Sequence, residues 1–352
     1  MDYVLEKATQ VADEHGVAGV ITFDEMFTPL TARIADALQV PGFGVDAVEN
    51  CRDKLISRQV LRHAGLTQPV SEYAATASDA LAISHTTGFP LVLKPRGMAG
   101  SIGVLRVDTP EELSDAFEVV RRAAAMGAQR HGTGALVEQM VVGEEVSIDS
   151  AVRGGKVDPL FVARKRFGPA PYFEETGQTI DAEDPLLTDP QIVEVLERAH
   201  LALGVNNGVT HTEIKLSPDG PVIIEVNSRP GGDFVPHTAE LATGLEVGNI
   251  AAQIALGGIP RTQRTRTAVA ANAVLYPETS GTVRQVNVPA PQPDLGVVEA
   301  APLVSEGATV LLPPDGYMTR YAYVLVSAPT PRECATRLSA AVEACALEME
   351  PA

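Results

Sequence analysis

The sequence lacks tryptophan, and aromatic residues make up only 5 % of it. Few aromatic side chains count against a stacking platform for single-stranded nucleic acid. No apolar run approaches the length of about 18 residues that a transmembrane helix needs. The first residues show no basic segment followed by an apolar one, so a secretory signal is not expected. The three cysteines, Cys51, Cys334 and Cys345, lie far apart without metal-ligand spacing, which indicates reduced thiols and a cytoplasmic location.

Positive charge is also scarce, because 27 basic residues stand against 45 acidic ones and the net charge is −18. Such a surface repels nucleic acid and anionic membranes, so neither is expected as a partner. A small polyanion such as a nucleotide would need a local cluster of basic side chains and a divalent cation. An apolar content of 45 % is ordinary for a soluble globular protein, and 352 residues predict two or three domains.

Hydrophobic periodicity and capping residues predict a mixture of helices and strands. Residues 16–25 are typical of a helix-to-strand junction with a buried strand. Residues 109–126 predict a helix with Thr109 as its N-cap. Further segments are predicted as helices at 28–40, 50–65 and 189–204, a buried strand at 88–95, a long loop at 166–178, and short strands followed by a helix after residue 265.

The stretch HTEIKLSPDGPVIIEVNSRPGG, residues 211–232, has the pattern of a β-hairpin but carries charged side chains that a hairpin does not need. The turn at 217–221 fits a three-residue loop whose last residue is a left-handed glycine. With that loop, Glu213 is expected directly opposite Glu225, where two side chains share one face of the sheet. Asn227 lies two residues beyond Glu225 and therefore shares this face.

Directly opposed carboxylates repel each other unless a cation lies between them. Two carboxylates and a carboxamide are oxygen donors, which favour Mg²⁺ or Mn²⁺ over zinc. Glu213, Glu225 and Asn227 are therefore candidate metal ligands. Arg229 follows the strand end, where its guanidinium can bind a phosphate or a carboxylate. The alternative interpretation is a solvated strand face with an incidental pair of glutamates.

A second candidate element is LVLKPRGMAGSIGV, residues 91–104. Lys94 lies at the end of a buried strand, a position that a lysine occupies when its ammonium has an anion to bind. The glycines that follow let backbone N–H groups close over phosphate oxygens, and Ser101 adds a hydroxyl donor. The loop leads from strand to strand, so it is neither a Walker loop nor a Rossmann fingerprint. An ordinary glycine-rich turn remains the alternative.

The third element is ALVEQMVVGEEVSID, residues 135–149. The main chain around Glu138, Met140 and Val141 can offer donors and acceptors to the edge of an adenine ring. Glu145, which follows a break at Gly143, can accept hydrogen bonds from ribose hydroxyls. A solvated strand edge is the alternative for Glu145, because it lies beside another glutamate.

These elements, in this order, resemble the ATP-grasp superfamily. The matching segments are DKLISRQVLRHAGLTQP (53–69), LVLKPRGMAGSIGV (91–104), LVEQMVVGEEVSID (136–149) and HTEIKLSPDGPVIIEVNSRPGG (211–232). Within the superfamily the chain looks most like carboxylate–amine ligases of the L-amino-acid (dipeptide) ligase type, and its tail is similar to their small C-terminal domain. The resemblance implies an α/β (α+β) fold in which two α+β subdomains grip ATP, after a reduced Rossmann-like N-terminal domain and before a small C-terminal α/β domain.

The resemblance also implies a role for each candidate residue. It assigns the metal to Glu213, Glu225 and Asn227, the nucleotide to Lys54, Lys94, Ser101, Glu138, Met140, Val141 and Glu145, and the transferred phosphoryl group to Arg229 and Lys165. Arg164 or Arg166 can take the place of Lys165. The implied cofactors are ATP and Mg²⁺ or Mn²⁺, with two ions expected.

The expected domains are residues 1–50, 51–142, 143–262 and 263–352. Only about fifty residues precede the first matching segment, so the N-terminal domain is expected to be reduced, or the sequence begins inside it. The expected function is ATP-dependent amide or peptide bond formation between small-molecule carboxylates and amines through an acyl phosphate, and a homodimer is one expected assembly. The alternatives are an ATP-grasp carboxylase or purine-pathway ligase, and a regulatory protein that binds ATP without turnover.

Overall fold

The computed structural model describes residues 2–126, 131–168, 170–292, 296–312 and 319–351. The chain divides into two compact units. The first contains residues 1–162, 185–236 and 245–263, and the second contains 163–184, 237–244 and 264–352. The four domains expected from the sequence group the residues differently and remain a prediction.

The helices are α1 (Asp2–His15), α2 (Thr28–Ala37), α3 (Val45–Arg52), α4 (Lys54–His63), α5 (Ala77–Thr87), α6 (Leu113–Met126), α7 (Pro190–Leu203), α8 (Val235–Thr243), α9 (Val247–Ala255) and α10 (Pro331–Glu343). The strands are β1 (Ser71–Ala74), β2 (Leu91–Pro95), β3 (Leu105–Val107), β4 (Ala135–Gln139), β5 (Glu144–Arg153), β6 (Lys156–Phe167), β7 (Glu175–Asp181), β8 (Gly208–Ser217), β9 (Gly220–Asn227), β10 (Val269–Leu275), β11 (Gly281–Asn287), β12 (Val297–Pro302), β13 (Thr309–Val310), β14 (Ala322–Ala328) and β15 (Ala346–Pro351). In the described ranges, no helix is both long and apolar enough to cross a bilayer.

The first unit holds two groups of strands. One is a four-stranded antiparallel sheet in the order β1-β4-β2-β3. The other has the order β6-β5-β8-β9, with β5 and β6 joined by a turn at Gly154 and Gly155, as the sequence predicts. Strands β5, β8 and β9 carry a polar face, which includes Asp149, Glu213 and Glu225, and an apolar face. On the apolar face Val146, Ile148 and Ile214 pack in one core with residues of α3, α4 and α7.

The second unit contains the end of β6 and four further strands in the order β12-β14-β10-β7-β6. Its core is formed by small apolar side chains of β10 and β14 with residues of α10, among them Ala271, Val324, Val326 and Cys334. A separate three-stranded sheet has the order β13-β11-β15. The short strands and the late helix predicted after residue 265 are therefore present.

Several expectations about local structure are wrong. Residues 16–24 form no strand, and in the described part of residues 2–52 there is no strand with which they could pair. The predicted helix 50–65 is two helices, because Asp53 adopts an extended conformation between α3 and α4. The predicted loop 166–178 is shorter, because β6 continues to Phe167 and β7 begins at Glu175.

The helix predicted from residue 109 begins instead at Leu113, so Thr109 is not its N-cap. Residues 110–112 form a separate turn, in which the Glu112 carboxylate accepts a hydrogen bond from the Asp108 amide at 3.0 Å. By contrast α7 begins and ends as predicted, with Asp189 accepting from two amides of the first turn and Gly204 left-handed at the C-cap.

Candidate active site

The hairpin β8–β9 places Glu213 directly opposite Glu225, as the sequence predicts, but for a different reason. Ser217 pairs with Gly220 rather than with Pro221, so the loop has two residues instead of three. A bulge between Glu213 and Ile214 then shifts the register by one residue. The predicted loop was therefore wrong, and the bulge restores the opposition of the two carboxylates.

The bulge is stabilised from outside the hairpin. Ile224 is the extra residue of β9 there, and its carbonyl accepts a hydrogen bond of 2.8 Å from Arg58 of α4. The guanidinium of Arg58 is almost fully buried. A bulge leaves one residue without a cross-strand partner, so a donor from another element satisfies a carbonyl that the ladder does not.

The polar face of this sheet carries more than the two glutamates. Asn227 pairs with His211 across the hairpin and lies on the same face as Glu225. On the other side of β8, Asp149 pairs with His211, and Ser147 pairs with Glu213. The sheet thus presents three carboxylates, a carboxamide and an imidazole on one face.

Lys54 is held next to one of the opposed glutamates. It is the first residue of α4, and its Nζ lies 3.0 Å from Oε1 of Glu225. The same ammonium donates to the carbonyl oxygen of Met98, at 2.6 Å, in the glycine-rich loop. The lysine is 7 % exposed. A cation is therefore bound between the loop and the predicted metal ligand.

The preceding residue, Asp53, fixes α4 to the start of that loop. Its carboxylate accepts from the amides of Leu55 and Ile56 and so caps the helix. It also binds the guanidinium of Arg96 through two hydrogen bonds of 2.6 and 2.5 Å. Burial opposes ionisation of Asp53, but hydrogen bonds from His131 and Arg96 outweigh burial and lower its pKa below the ordinary value.

Lys94 and Glu138 form a buried ion pair on neighbouring strands, with Nζ 2.7 Å from Oε2. Arg58 binds the same carboxylate, with Nε 2.8 Å from Oε1. Burial by itself raises the pKa of Glu138, but Arg58 and Lys94 lower it from 4.5 to about 2. Burial lowers the pKa of Lys94, and Glu225 and Lys54 lie close enough to influence it too. Lys94 therefore belongs to the same cluster as the hairpin carboxylates.

Arg229 is bound by the N-terminal segment. Its Nε donates to Oε2 of Glu25 at 2.6 Å, and the other oxygen of Glu25 lies 3.0 Å from Nη1 of Arg52. Gly231, just beyond, donates its amide to Asp149 at 2.8 Å. Asp149 in turn lies 2.6 Å from Nδ1 of His211. The predicted phosphate-binding arginine and the residue two positions after it are thus both held by carboxylates.

The remaining predicted residues lie in three places. Ser101 is in the glycine-rich loop, where its φ of +56° is unusual for a residue other than glycine. Met140 and Val141 follow the end of β4, in the segment that leads to β5. Glu145 lies opposite Lys215, with Oε2 3.4 Å from the lysine Nζ. These placements leave the predicted nucleotide contacts of these residues untested.

Lys165 belongs to the second unit, where its Nζ lies 2.7 Å from Glu175 and its side chain is 2 % exposed. Arg164 binds Asp184 through two hydrogen bonds, and Arg166 donates to the carbonyl of Asn272 and the hydroxyl of Thr179. Both arginines are thus engaged in the framework of the second unit. The choice of Lys165 for the phosphate remains a prediction.

The donor set fits a hard divalent cation that is also bound by phosphate oxygens. In the part of the chain that the structure describes, no three side chains of histidine, cysteine, aspartate or glutamate come together to hold a metal ion. The predicted ligands instead combine two carboxylates with the amide of Asn227, which is 5 % exposed. All three are oxygen donors, and a Mg²⁺ site with few protein ligands relies on substrate phosphates. The Lys54 ammonium beside Glu225 shows that a cation is stabilised there.

Sequence reasoning missed Glu25, Arg58 and Asp149. The spacing could have indicated two of them. Arg58 is four residues after Lys54 on one helix, and Asp149 is four residues after Glu145 on one strand, so each shares a face with a candidate residue. No such spacing indicated Glu25, because its partner Arg229 is 204 residues away.

Two family models match the chain: the ATP-grasp domain over residues 87–237 and the L-amino acid ligase C-terminal domain 2 over residues 273–350. Protein y4rH of Sinorhizobium fredii (strain NBRC 101917 / NGR234), which is described as uncharacterized, is 27 % identical over 355 residues, which are 100 % of this chain and 72 % of the relative. Alanine–anticapsin ligase of Bacillus subtilis (strain 168) is 29 % identical over 252 residues, 66 % of this chain and 53 % of the relative.

A solved structure resembles the chain over most of its length. The crystal structure of L-amino acid ligase from Bacillus licheniformis is 27 % identical, has a TM-score of 0.81, and is matched over 98 % of this chain and 84 % of its own. The chain spans about half the length of the alanine–anticapsin ligases that it matches. The matched models and this likeness confirm the predicted fold: the chain carries an ATP-grasp domain and a C-terminal domain of the L-amino acid ligase type, and as a whole it resembles the L-amino-acid ligases.

Proposed function

We propose that the chain is an ATP-dependent ligase that joins the carboxylate of one amino acid, or of a related small molecule, to the amine of another. The observation that carries the proposal is the cluster in the first unit. Glu213 and Glu225 oppose each other across a hairpin, Lys54 lies 3.0 Å from Glu225, and the buried Lys94 lies close enough to Glu225 and Lys54 to feel their charges. A site for a triphosphate needs anionic ligands for a metal and cationic ligands for phosphate oxygens side by side.

Glu213, Glu225 and Asn227 are proposed to hold Mg²⁺ or Mn²⁺, with two ions bound. When bound, the ion neutralises charge on the phosphates. The lysines act beside it: Lys54 and Lys94 bind phosphate oxygens, and the glycine-rich loop with Ser101 closes over them. Because Asp53 joins the loop to α4 through Arg96, binding at the loop is coupled to the position of Lys54.

The reaction is proposed to proceed in two steps. A substrate carboxylate attacks the γ-phosphorus of ATP, which gives an acyl phosphate and ADP. The amine then attacks the acyl carbon and phosphate leaves. Arg229 and Lys165 are proposed to stabilise the transferred phosphoryl group and the oxyanion. Most of the rate enhancement should come from positioning and charge neutralisation.

The proposal is tested by ADP release in the presence of pairs of amino acids, with mass spectrometry of any condensed product. ADP release should require both an amino-acid pair and Mg²⁺ or Mn²⁺, and EDTA should abolish it. Glu225→Gln should lower the rate by about a hundredfold or more, the usual effect of removing one charge-stabilising group. Glu197→Gln, at an exposed position of α7, is the matched control and should keep the rate.

Two outcomes would contradict the proposal. Full turnover by the Glu225→Gln chain would remove the metal site from the mechanism. ADP release that depends on bicarbonate and needs no amino acid would indicate a carboxylase instead.

A further inference from the structure

A cavity of about 490 Å³, its mouth included, lies in the first unit apart from the cluster of lysines and glutamates. Its walls are formed by residues 20–22, helix α2, residues 41–43, the start of β8 and helix α9. The two helices present alanines to it, at Ala32 and Ala35 on α2 and at two positions of α9. The space exists because these positions carry the smallest side chain with a Cβ.

The lining is suited to an uncharged ligand. Among the described residues, those that line the cavity carry no formal charge, and most are apolar. An ionised group would lose its hydration there without gaining a counter-charge, which excludes the phosphates of a nucleotide.

One residue of the wall carries a buried hydroxyl without a partner among the described residues. The hydroxyl of Ser228 is buried, with 1 % of the residue exposed, and within the described ranges it has no hydrogen-bond partner. Ser228 lines the cavity. Buried hydroxyls are rarely left unpaired, because the lost hydrogen bond is unfavourable. A ligand with one hydrogen-bonding atom would satisfy it.

The cavity adjoins the Arg229 end of the candidate active site. Thr22 and Thr28, which line it, lie on either side of Glu25 in the chain, and Ser228 and Pro230 lie on either side of Arg229. Glu25 and Arg229 form the ion pair described above. The segments 22–28 and 228–230, which are joined by this ion pair, therefore also form one side of the cavity.

We propose that this cavity receives the uncharged side chain of the amino-acid substrate. The aliphatic part packs against the alanines of α2 and α9, and a side-chain hydroxyl, where the substrate has one as threonine does, forms a hydrogen bond with the hydroxyl of Ser228. The substrate class is therefore amino acids with small or medium uncharged side chains, such as valine, threonine or leucine, rather than aspartate, glutamate, lysine or arginine. This inference rests on the proposed function, because it assigns a substrate to that ligase.

The test is to fill the cavity and measure equilibrium binding of single amino acids by calorimetry. Ala251→Leu on α9 reduces the space, and Ala252→Leu, one residue along the same helix and outside the lining, is the matched control. Filling should weaken binding of valine and leucine at least tenfold and leave glycine within twofold, while the control changes neither. Ala32→Val and the exposed Ala37→Val on α2 form a second pair if Ala251→Leu does not fold.

The role of Ser228 is tested with two amino acids of nearly equal size. Threonine carries a hydroxyl where valine carries a methyl group, so Ser228→Ala should reduce the affinity for threonine relative to valine about fivefold. Folded filling variants that bind valine and leucine within twofold of the unchanged chain would overturn the proposal. So would tighter binding of charged amino acids than of valine.

Failure of this inference can be told apart from failure of the proposed ligase. Binding is measured without turnover, so it can be scored in the Glu225→Gln chain, in which ADP release should be lost. One outcome is that the filling variants lose their preference for valine and leucine, while no pair of amino acids causes ADP release. That outcome would support the cavity as the side-chain site and contradict the proposed ligase. Unchanged selectivity in a chain that still releases ADP would contradict the cavity alone.

Discussion

The buried carboxylate of Glu138 gives the sharpest prediction about what stabilises the site. Glu138 is 3 % exposed and binds two cations, Arg58 and Lys94. Replacement by glutamine keeps the size and some hydrogen bonds but removes the charge. The two cations then remain buried without their counter-ion, which should destabilise the first unit.

Two independent considerations give the magnitude. The pKa of Glu138 is lowered from 4.5 to about 2 by its partners despite burial. Because the pKa of the folded state is the lower one, this stabilisation is present above pH 4.5 and is lost as the pH falls towards 2; it amounts to roughly 3 kcal/mol. Removal of one partner from a buried ion pair typically costs about 3–5 kcal/mol. We therefore expect the free energy of unfolding of the first unit to fall by about 3 kcal/mol at pH 7.

The assay is hydrogen exchange of the β2 and β4 amides under native conditions, with urea unfolding followed by circular dichroism. Exchange is preferred because the chain has two units, and it reports the free energy of opening where the substitution lies. Glu118→Gln is the control, since Glu118 also pairs with an arginine but lies on the exposed side of α6. It should leave exchange in β2 and β4 unchanged.

A second readout concerns the site itself. Lys94 loses its nearest anion in the Glu138→Gln chain, so ATP binding should weaken as well. If the free energies of opening of the β2 and β4 amides in the variant lie within about 1 kcal/mol of those in the unchanged chain, the ion pairs of Glu138 contribute far less to stability than their geometry implies. The account of how Lys94 is positioned would then be wrong.

Three further predictions concern other elements. Burial lowers the pKa of His200 from 6.5 to about 4. Because the folded state binds the proton less well than the unfolded state, the free energy of unfolding should be highest above pH 6.5 and about 3 kcal/mol lower at pH 4. In urea titrations at several pH values, His200→Gln should remove most of this dependence on pH. Gly143→Ala should lower the free energy of unfolding by more than about 2 kcal/mol, because the φ of Gly143 is +152° and a Cβ there would lie 2.3 Å from the Leu216 carbonyl oxygen. Gly154→Ala, at a left-handed glycine with open space around it, should lower it by only about 1 kcal/mol. Thermal or urea unfolding measures both. Asp53→Asn should keep the cap of α4 but lose the charge that binds Arg96. Asp53→Ala should lower the free energy of unfolding by about 1 kcal/mol more than Asp53→Asn, because the cap is lost too. Equal decreases for the two variants would refute a separate capping role.

Much of the site was predictable from local patterns. The type and spacing of Glu213, Glu225 and Asn227 predicted that they share a face, and the structure confirms the opposition of the two glutamates. Strand alternation requires only the backbone, so it can be read from a few residues. Capping works over a similar distance, which is why α7 was predicted to the residue at both ends.

Other features depended on contacts that no local pattern contains. The hairpin has a two-residue loop and a bulge, and the bulge carbonyl is bound by Arg58 from another helix. The expected strand at 16–25 is absent, because a strand is stable only when a neighbour accepts its hydrogen bonds. The pattern of residues 16–25 alone does not reveal whether another strand lies beside them.

The sequence by itself determined which side chains are available for phosphate and metal, and which of them share a strand face. Only the tertiary structure decided their partners: Glu138 with Arg58, 80 residues apart, and Arg229 with Glu25, 204 residues apart. The reason is that side-chain periodicity is fixed by the geometry of one element, whereas an ion pair between elements depends on how those elements pack. Packing is the sum of many weak contacts distributed over the whole unit.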